Sequence, residues 1–280
     1  MTLPPSYNTV WLSDIHLGTR DCKAEYLLSF LQTVQCDTLY LVGDIVDLWS
    51  LRRTMYWPPS HHAVVKALLD KSQNGTRIVY IPGNHDEACR EFIGGQLMGV
   101  EIMERAEHVT GRGKRMLILH GDEFDCLVRC GALRRWVGEH SYTLLLLLNR
   151  ITHRARRLFG LPYWSMAHHI KNSVSGAKAA IREFEDVAIS EARRQGYDGI
   201  ICGHIHQPEI RSDDGILYCN DGDWVESCTA LVEDQSGWLE LLHWSDTQQP
   251  VYSEQAANDS GVDRIYALPL PTSFNQPLLK

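Results

Sequence analysis

The sequence WLSDIH at residues 11–16 indicates the fold of this 280-residue chain. In it, an apolar run is followed directly by polar residues that suit a turn. Four further segments have an apolar run followed by glycine and by Asp, Asn or His: LVGD at 41–44, IPGNHD at 81–86, ILHGD at 118–122 and ICGHIH at 201–206. In open α/β sheets, ligands bind beyond the carboxyl ends of the strands. We therefore expect these five polar clusters to converge in one crevice.

Alternating strands and helices surround these clusters. The sequence predicts strands at 8–13, 38–42 and 77–81, with helices at 23–34 and 62–72 between them. Short apolar runs separated by helix-length segments are typical of parallel strands joined by crossover helices. The first 120 residues are therefore predicted to form an α/β unit.

The same alternation continues further along the chain. The predicted elements are strands at 107–110 and 116–119, a helix at 176–195, a strand at 199–202, and strands at 216–219, 229–233 and 238–244. Glycine-containing turns at 111–113, 213–215 and 235–237 predict hairpins. The last three strands are therefore predicted to be antiparallel.

Composition limits the class of protein. Hydrophobic residues make up 44% of the chain and charged residues 22%, close to the averages of soluble globular domains. The start has no signal-peptide pattern, and no apolar run reaches the ~20 residues of a membrane span. Eight cysteines occur without a CxxC motif, which favours reduced thiols in the cytoplasm. The formal net charge of −8 argues against general nucleic-acid binding.

One segment has the opposite charge. Residues 126–172 contain eight Lys and Arg residues and one Glu, a net charge of +7, while the rest of the chain carries −15. This segment also interrupts the α/β alternation with Leu- and Trp-containing sequence that predicts helices. It is therefore predicted to be a helical insertion with a basic surface.

The polar clusters contain the side chains that a pair of divalent cations needs. The Asp-x-His sequence at 14–16 and the His-x-His sequence at 204–206 each place two side chains on the same side of an extended backbone. Carboxylate and imidazole ligands without thiolate suit Mn²⁺, Fe²⁺ or Zn²⁺. Two such ions ~3.5–4 Å apart activate water and neutralise charge on a phosphate group. The clusters therefore predict hydrolysis of a phosphate ester.

In this order, the motifs resemble the calcineurin-like metallophosphoesterase superfamily over about residues 8–244. The resemblance implies an α/β fold of the metallophosphoesterase type, a layered α/β sandwich of two β-sheets flanked by helices, with a helical cap insertion. Residues 1–125 and 173–245 would form the core, and residues 126–172 the cap. Residues 246–280 are rich in Gln, Ser, Asn and Pro without periodicity, which predicts a C-terminal tail that is a surface strap or is partly disordered.

The resemblance also implies ligands for two metal ions. The first ion would be held by Asp14, His16, Asp44 and His206. The second would be held by Asp44, Asn84, His120 and His204, so that Asp44 bridges the two. Mn²⁺ is the expected metal, with Fe²⁺ or Zn²⁺ as alternatives. His85 would contact the phosphate and give a proton to the leaving oxygen. Asp47 would orient His85. The alternative for Asp47 is that it only caps the start of a helix.

Within the superfamily, five segments resemble the UDP-2,3-diacylglucosamine pyrophosphatase family of Gram-negative bacteria. They are SDIHLG at 13–18, GDIVDLW at 43–49, HGD at 120–122, GHIHQP at 203–208 and NDGDW at 220–224. This resemblance implies hydrolysis of UDP-2,3-diacylglucosamine to UMP and the lipid 1-phosphate, in lipid A biosynthesis.

The family resemblance extends to the cap, which lodges acyl chains in that family, while the enzyme associates with the inner membrane. We therefore expect a cytoplasmic protein whose basic cap binds peripherally to the cytoplasmic face of that membrane. Asp122, Arg154 and Arg157 are the candidate substrate contacts. The alternative to lipid contact is that the leucines form core and the arginines a solvated face.

His85 is a departure from that family, whose best-known members have arginine at this position. The departure leaves open a paralogue that acts on another phosphodiester, a phosphomonoester or another nucleotide diphosphate. A binding scaffold without catalysis is a more remote alternative, because every expected ligand position is filled.

Overall fold

The computed structural model describes residues 5–126, 146–161, 163–171, 175–245 and 249–254. Its strands are β1 (Ser6–Leu12), β2 (Gln35–Val42), β3 (Arg77–Ile81), β4 (Gln96–Leu97), β5 (Val100–Ile102), β6 (Ala106–Val109), β7 (Arg115–Ile118), β8 (Gly199–Cys202), β9 (Glu209–Asp213), β10 (Ile216–Asn220), β11 (Thr229–Glu233), β12 (Leu239–His243) and β13 (Gln249–Ser253). Its helices are α1 (Ala24–Thr33), α2 (Leu48–Arg53), α3 (Pro59–Gln73), α4 (146–158), α5 (Met166–Lys171) and α6 (Ser175–Gln195). Two 3-10 helices, Glu87–Phe92 and Asp122–Cys126, follow β3 and β7.

The strands form two sheets. The first has the order β13-β12-β11-β1-β2-β3-β5-β4, and the second has the order β6-β7-β8-β10-β9. In the first sheet β1, β2, β3 and β5 run parallel, and in the second β7, β8 and β10 do so. Within each sheet the carboxyl ends of these strands therefore lie at one edge. The predicted sandwich of two sheets flanked by helices is confirmed.

Alternation along the central strands divides their apolar residues between two layers. In β1, Leu12 packs with Phe30 of α1, whereas Trp11 faces the second sheet and packs in the same cluster as Ile201. The other face of the second sheet is covered by α6, through Phe184. Burial of one large apolar side chain contributes ~1.5–3 kcal/mol, so this packing holds the two sheets face to face.

One part of the predicted strand pairing is wrong. β10 lies in the second sheet, parallel to β8 and antiparallel to β9, whereas β11 belongs to the first sheet. The turn at 213–215 therefore joins β9 to β10. The sequence of β9, EIRSD, has a single apolar residue and no alternation that predicts a strand. Local alternation also does not determine which sheet a strand joins.

The described part of the predicted cap contains α4 and α5. Arg150 of α4 forms an ion pair with Asp21 at 2.8 Å, and the Tyr163 hydroxyl donates to the Glu226 carbonyl at 2.8 Å. The first contact seats α4 beside the loop that follows β1, and the second ties the segment after α4 to the loop that follows β10. Within the predicted tail, residues 249–254 are described and contain β13, which pairs antiparallel with β12. Residues 127–145, 246–248 and 255–280 lie outside the described residues. In the ranges that the structure describes, no helix has the length and apolar character needed to cross a bilayer.

Candidate metal centre

The polar clusters stand on strained backbone at the ends of strands. Asp14, His16, Asp44, His204 and His206 have φ angles between 49° and 69°. This left-handed conformation costs a residue other than glycine ~1–3 kcal/mol and is concentrated at functional sites. The amides of Asp14 and His16 donate to backbone carbonyls of the loop after β2, at 3.0 and 2.9 Å, so the two loops hold each other in this conformation.

Asp14 is fully buried and lies close to two imidazoles. Its Oδ1 is 3.1 Å from Nε2 of His206 and 3.9 Å from Nε2 of His16. Its Oδ2 accepts a hydrogen bond from the amide of His204 at 2.8 Å. Asp14, His16 and His206 place ligand atoms within 4.8 Å of one another, which is close enough to hold one cation.

Asp44 lies between two histidines. Its Oδ2 is 3.7 Å from Nε2 of His16, and its Oδ1 is 3.6 Å from Nε2 of His120. Nδ1 of His120 is 2.8 Å from the carbonyl oxygen of Val42, which only accepts hydrogen bonds, so Nδ1 carries the proton. The lone pair of His120 is therefore on Nε2 and faces Asp44. Asp14, Asp44 and His120 form a second group able to hold a cation.

Asn84 and His204 are placed differently. Oδ1 of Asn84 is buried and has no hydrogen-bond partner among the described residues. His204 is in none of the close groups of His, Cys, Asp and Glu ligand atoms that the described ranges contain. Its Nε2 lies 3.0 Å from Oδ1 of Asp125 instead. Five of the seven predicted ligands thus lie in close groups, and their role as ligands stays a prediction.

Three buried atoms test whether cations fit this crevice. Nε2 of His16, Oδ1 of Asn84 and Nε2 of His120 have no hydrogen-bond partner within the described part of the chain. An unsatisfied buried polar atom costs ~1–3 kcal/mol. All three belong to the predicted ligand set, and their types are those that divalent transition metals bind. The residues present therefore fit divalent cations.

The charges of the crevice also favour cations. Burial lowers the pKa of His16, but a hydrogen bond with Asp47 and the neighbouring carboxylates raise it to about 9. Burial raises the pKa of Asp44, yet the imidazoles of His120, His16 and His85 around it hold that pKa well below its ordinary value. Asp44 therefore stays ionised, and an ionised buried carboxylate attracts a divalent cation.

Asp47 contacts two imidazoles through one carboxylate oxygen. Its Oδ2 lies 3.2 Å from Nδ1 of His16 and 3.1 Å from Nδ1 of His85. Its Oδ1 accepts from a backbone amide in the first turn of α2 at 2.6 Å, so Asp47 is also the N-cap. The ring of Trp49 packs on the ring of His85, with 4.4 Å between the ring centroids. Nε2 of His85 lies 3.9 Å from Oδ2 of Asp44 and faces the crevice.

Asp86 is a residue of the site whose role the sequence does not reveal. It is fully buried, and its carboxylate accepts from the amides of Ile45 at 2.8 Å and Gly83 at 2.6 Å. It thereby ties the loop after β3 to the loop that carries Asp44. One feature of the sequence could have indicated this role. Asp86 is the final residue of IPGNHD, and a carboxylate in a glycine-rich turn often binds backbone amides.

The candidate substrate contacts lie in ion pairs or at the surface. Asp122 is 2.7 Å from Nη2 of Arg90. Arg157 of α4 is 3.7 Å from Oε2 of Glu25, with both side chains exposed, and Arg154 is also exposed. Their contact with substrate stays a prediction.

The layered α/β fold and its crevice of carboxylates and imidazoles are those of a metal-dependent phosphoesterase. Residues 7–208 match the family described as Calcineurin-like phosphoesterase, and the chain belongs to this family. The family implies divalent metal ions, in agreement with the groups of ligand atoms.

Named relatives are similar over most of the chain. The UDP-2,3-diacylglucosamine hydrolase of Stenotrophomonas maltophilia (strain K279a) is 28% identical over 244 residues, which cover 82% of this chain and 96% of that protein. The protein of the same name from Ectopseudomonas mendocina (strain ymp) is 29% identical over 250 residues, covering 81% and 94%. Among solved structures, Yfce, a phosphoesterase from E. coli, is 14% identical with a TM-score of 0.44, covering 88% of this chain and 97% of that chain.

Proposed function

We propose that this phosphoesterase hydrolyses the pyrophosphate of UDP-2,3-diacylglucosamine to UMP and the lipid 1-phosphate, a step of lipid A biosynthesis. The names of the two relatives support this substrate. The observation that carries the proposed chemistry is the position of Asp44, whose two oxygens face His16 and His120 at 3.7 and 3.6 Å. A carboxylate in this position suits a bridge between two cations.

The proposed centre uses the ligand atoms described above. Asp14, His16, Asp44 and His206 would hold the first ion, and Asp44, Asn84, His120 and His204 the second. Divalent ions, with Mn²⁺ expected and Fe²⁺ or Zn²⁺ as alternatives, supply positive charge that activates water and neutralises the phosphate. Water attacks the α-phosphorus, the bond to the bridging oxygen breaks, and that oxygen leaves with the lipid phosphate.

His85, whose ring packs on Trp49, is the proposed proton donor of the site. Asp47 contacts Nδ1 of its ring, so Nε2 is directed towards the crevice. From this position His85 donates a hydrogen bond to a phosphate oxygen and holds the proton for the leaving oxygen. Asp47 is the positioning residue for this ring.

The described part of the cap supports a lipid substrate. Leu158 and Phe159, at the end of α4, are 86% and 80% exposed, and Arg154 and Arg157 are exposed on the same helix. Exposed apolar side chains next to arginines suit contact with acyl chains and with anionic headgroups. We propose that the cap lodges the acyl chains and binds this cytoplasmic protein peripherally to the inner membrane.

A second candidate substrate is a phosphate ester of an alcohol. The contact between His85 and Asp47, at 3.1 Å, favours it. An alkoxide is a strong base and needs a proton as it leaves, whereas a phosphate leaving group is a stable anion. A histidine held to donate a proton is therefore more useful for an ester than for a pyrophosphate.

The test is an assay with Mn²⁺ that compares UDP-2,3-diacylglucosamine with bis(p-nitrophenyl) phosphate and p-nitrophenyl phosphate at equal concentrations. The proposal predicts the highest kcat/KM for the lipid. Higher kcat/KM for either small ester would favour the second candidate. No turnover of any substrate would support the binding scaffold.

Two variants separate the cap from the metal centre. Arg154→Gln combined with Arg157→Gln should lower turnover of the lipid and leave that of the small diester unchanged. The exposed pair Arg193→Gln and Arg194→Gln on α6 is the matched control. Asp44→Ala should abolish turnover of both substrates together with binding of both ions, and an Asp44→Ala protein with full metal content and activity would contradict the bridging role.

A further inference from the structure

Asp125 contacts a predicted metal ligand from the last turn before the cap. It lies in the 3-10 helix Asp122–Cys126, and its Oδ1 is 3.0 Å from Nε2 of His204. The sequence assigns no role to this carboxylate, and the mechanism described above does not use it. Its side chain is 60% exposed, so its replacement leaves no cavity.

The contact determines which nitrogen of His204 is available to a cation. A carboxylate oxygen accepts a hydrogen, so Nε2 carries the proton and the lone pair is on Nδ1. Carboxylates and carbonyls that accept from one ring nitrogen commonly orient the other nitrogen of a metal-binding histidine. The carbonyl of Val42 does the same for His120, with the two nitrogens in the opposite roles.

Other contacts fix the position of the His204 ring. Its amide donates to Oδ2 of Asp14 at 2.8 Å, which holds the main chain at a φ of 69°. The rings of His120 and Phe184 lie 5.2 and 5.9 Å away. These contacts limit where the ring lies, while the contact with Asp125 sets the direction of its nitrogens.

We propose that Asp125 is a positioning residue that presents Nδ1 of His204 to the second metal ion. The inference rests on the proposed dinuclear function. His204 is a predicted ligand of the second ion, and Asp125 directly precedes the predicted cap at 126–172. The two ions should respond differently to a change at this residue.

The experiment is a titration of the metal-depleted full chain with Mn²⁺, in which free Mn²⁺ is measured by electron paramagnetic resonance. The wild-type chain should bind two ions. Asp125→Ala should weaken one ion about 10–100-fold and leave the other unchanged, as removal of a carboxylate partner of a metal ligand does elsewhere. Asp125→Asn, whose carbonyl accepts the same hydrogen, should restore most of the affinity. Glu123→Gln in the same turn is the matched control and should bind like the wild type.

A second measurement determines by NMR which ring nitrogen of His204 carries the proton. In the Zn²⁺-loaded chain with ¹⁵N-labelled histidine, long-range ¹H–¹⁵N spectra should show His204 with its proton on Nε2. A proton on Nδ1, or equal affinities in Asp125→Ala and wild type, would overturn the proposal. If Asp125→Ala does not fold by circular dichroism, the position of the His204 proton in the Zn²⁺-loaded wild-type chain decides: a proton on Nε2 supports the proposal and a proton on Nδ1 overturns it. A wild-type chain that binds fewer than two ions instead contradicts the proposed function.

Discussion

Replacement of Asp47 separates the stability of the fold from the chemistry of the site. One carboxylate oxygen of Asp47 caps α2, and the other contacts Nδ1 of both His16 and His85. Asp47→Ala removes all three interactions. Asp47→Asn keeps the cap, because asparagine is as good an N-cap as aspartate.

The expected losses of stability, metal affinity and turnover follow from the contacts of the two carboxylate oxygens. Loss of the N-cap in Asp47→Ala should cost about 0.5–2 kcal/mol of stability. Loss of the carboxylate beside His16 should weaken the first metal ion about 10–100-fold. Loss of the orientation of His85 should lower kcat on the order of 10²-fold.

Asp47→Asn should be stable but as inactive as Asp47→Ala. If the amide oxygen stays on the backbone of α2, the amide nitrogen faces Nδ1 of His16 and of His85. Each imidazole must then accept at Nδ1 and carry its proton on Nε2. For His16 this is the nitrogen that should bind the metal, so the substitution blocks the ligand atom itself.

The assay combines thermal melting of the apo chain, Mn²⁺ titration and kcat/KM for each variant. The exposed substitution Asp70→Asn on α3 is the control for charge removal. We expect Asp47→Asn to melt above Asp47→Ala, because it keeps the N-cap, with weak metal binding and low activity. Wild-type activity in Asp47→Asn would refute the reasoning, as would activity losses that follow the losses of stability.

Three further predictions concern other residues. His85→Ala should retain its metal ions and lose on the order of 10²-fold in kcat/KM or more, and unchanged kinetics would remove His85 from the mechanism. Gly83→Ala places a methyl group 2.7 Å from Nε2 of His120, so it should lose metal binding and about 1–3 kcal/mol of stability in urea melts; normal metal content would show that the loop can move. Burial raises the pKa of Glu233, but hydrogen bonds with His108 and with the amide of Gly111 outweigh burial and hold the pKa below its ordinary 4.5. Ionised Glu233 therefore stabilises the fold above pH 4.5, and this stabilisation is lost as the pH falls through the lowered pKa. Glu233→Gln should flatten that acid-dependent loss in urea melts without a change in metal binding, and parallel losses in variant and wild type would contradict this origin.

The sequence was sufficient to predict the elements that carry the site. β3 begins and ends at the predicted residues, 77 and 81, and the hairpin of β6 and β7 is present. These elements are predictable because a short apolar run and a glycine-rich turn are local properties of the chain. The strand pairing of β10 is not local, since it depends on how the loop at 221–228 passes between the sheets.

The site was predictable to the extent that its residues follow strands directly. Asp14, Asp44 and His120 lie close together because each ends a central parallel strand. The partners of these residues were not predictable in the same way. Asp125 reaches His204 across 79 positions of sequence, and Asp86 binds amides 41 positions away, so only the folded chain reveals these contacts.

The most direct test of the dinuclear centre is an anomalous difference map from a crystal grown with Mn²⁺. We expect two peaks ~3.5–4 Å apart, on either side of the Asp44 carboxylate, with His16 beside one and His120 beside the other. A single peak, or peaks away from Asp44, would contradict it.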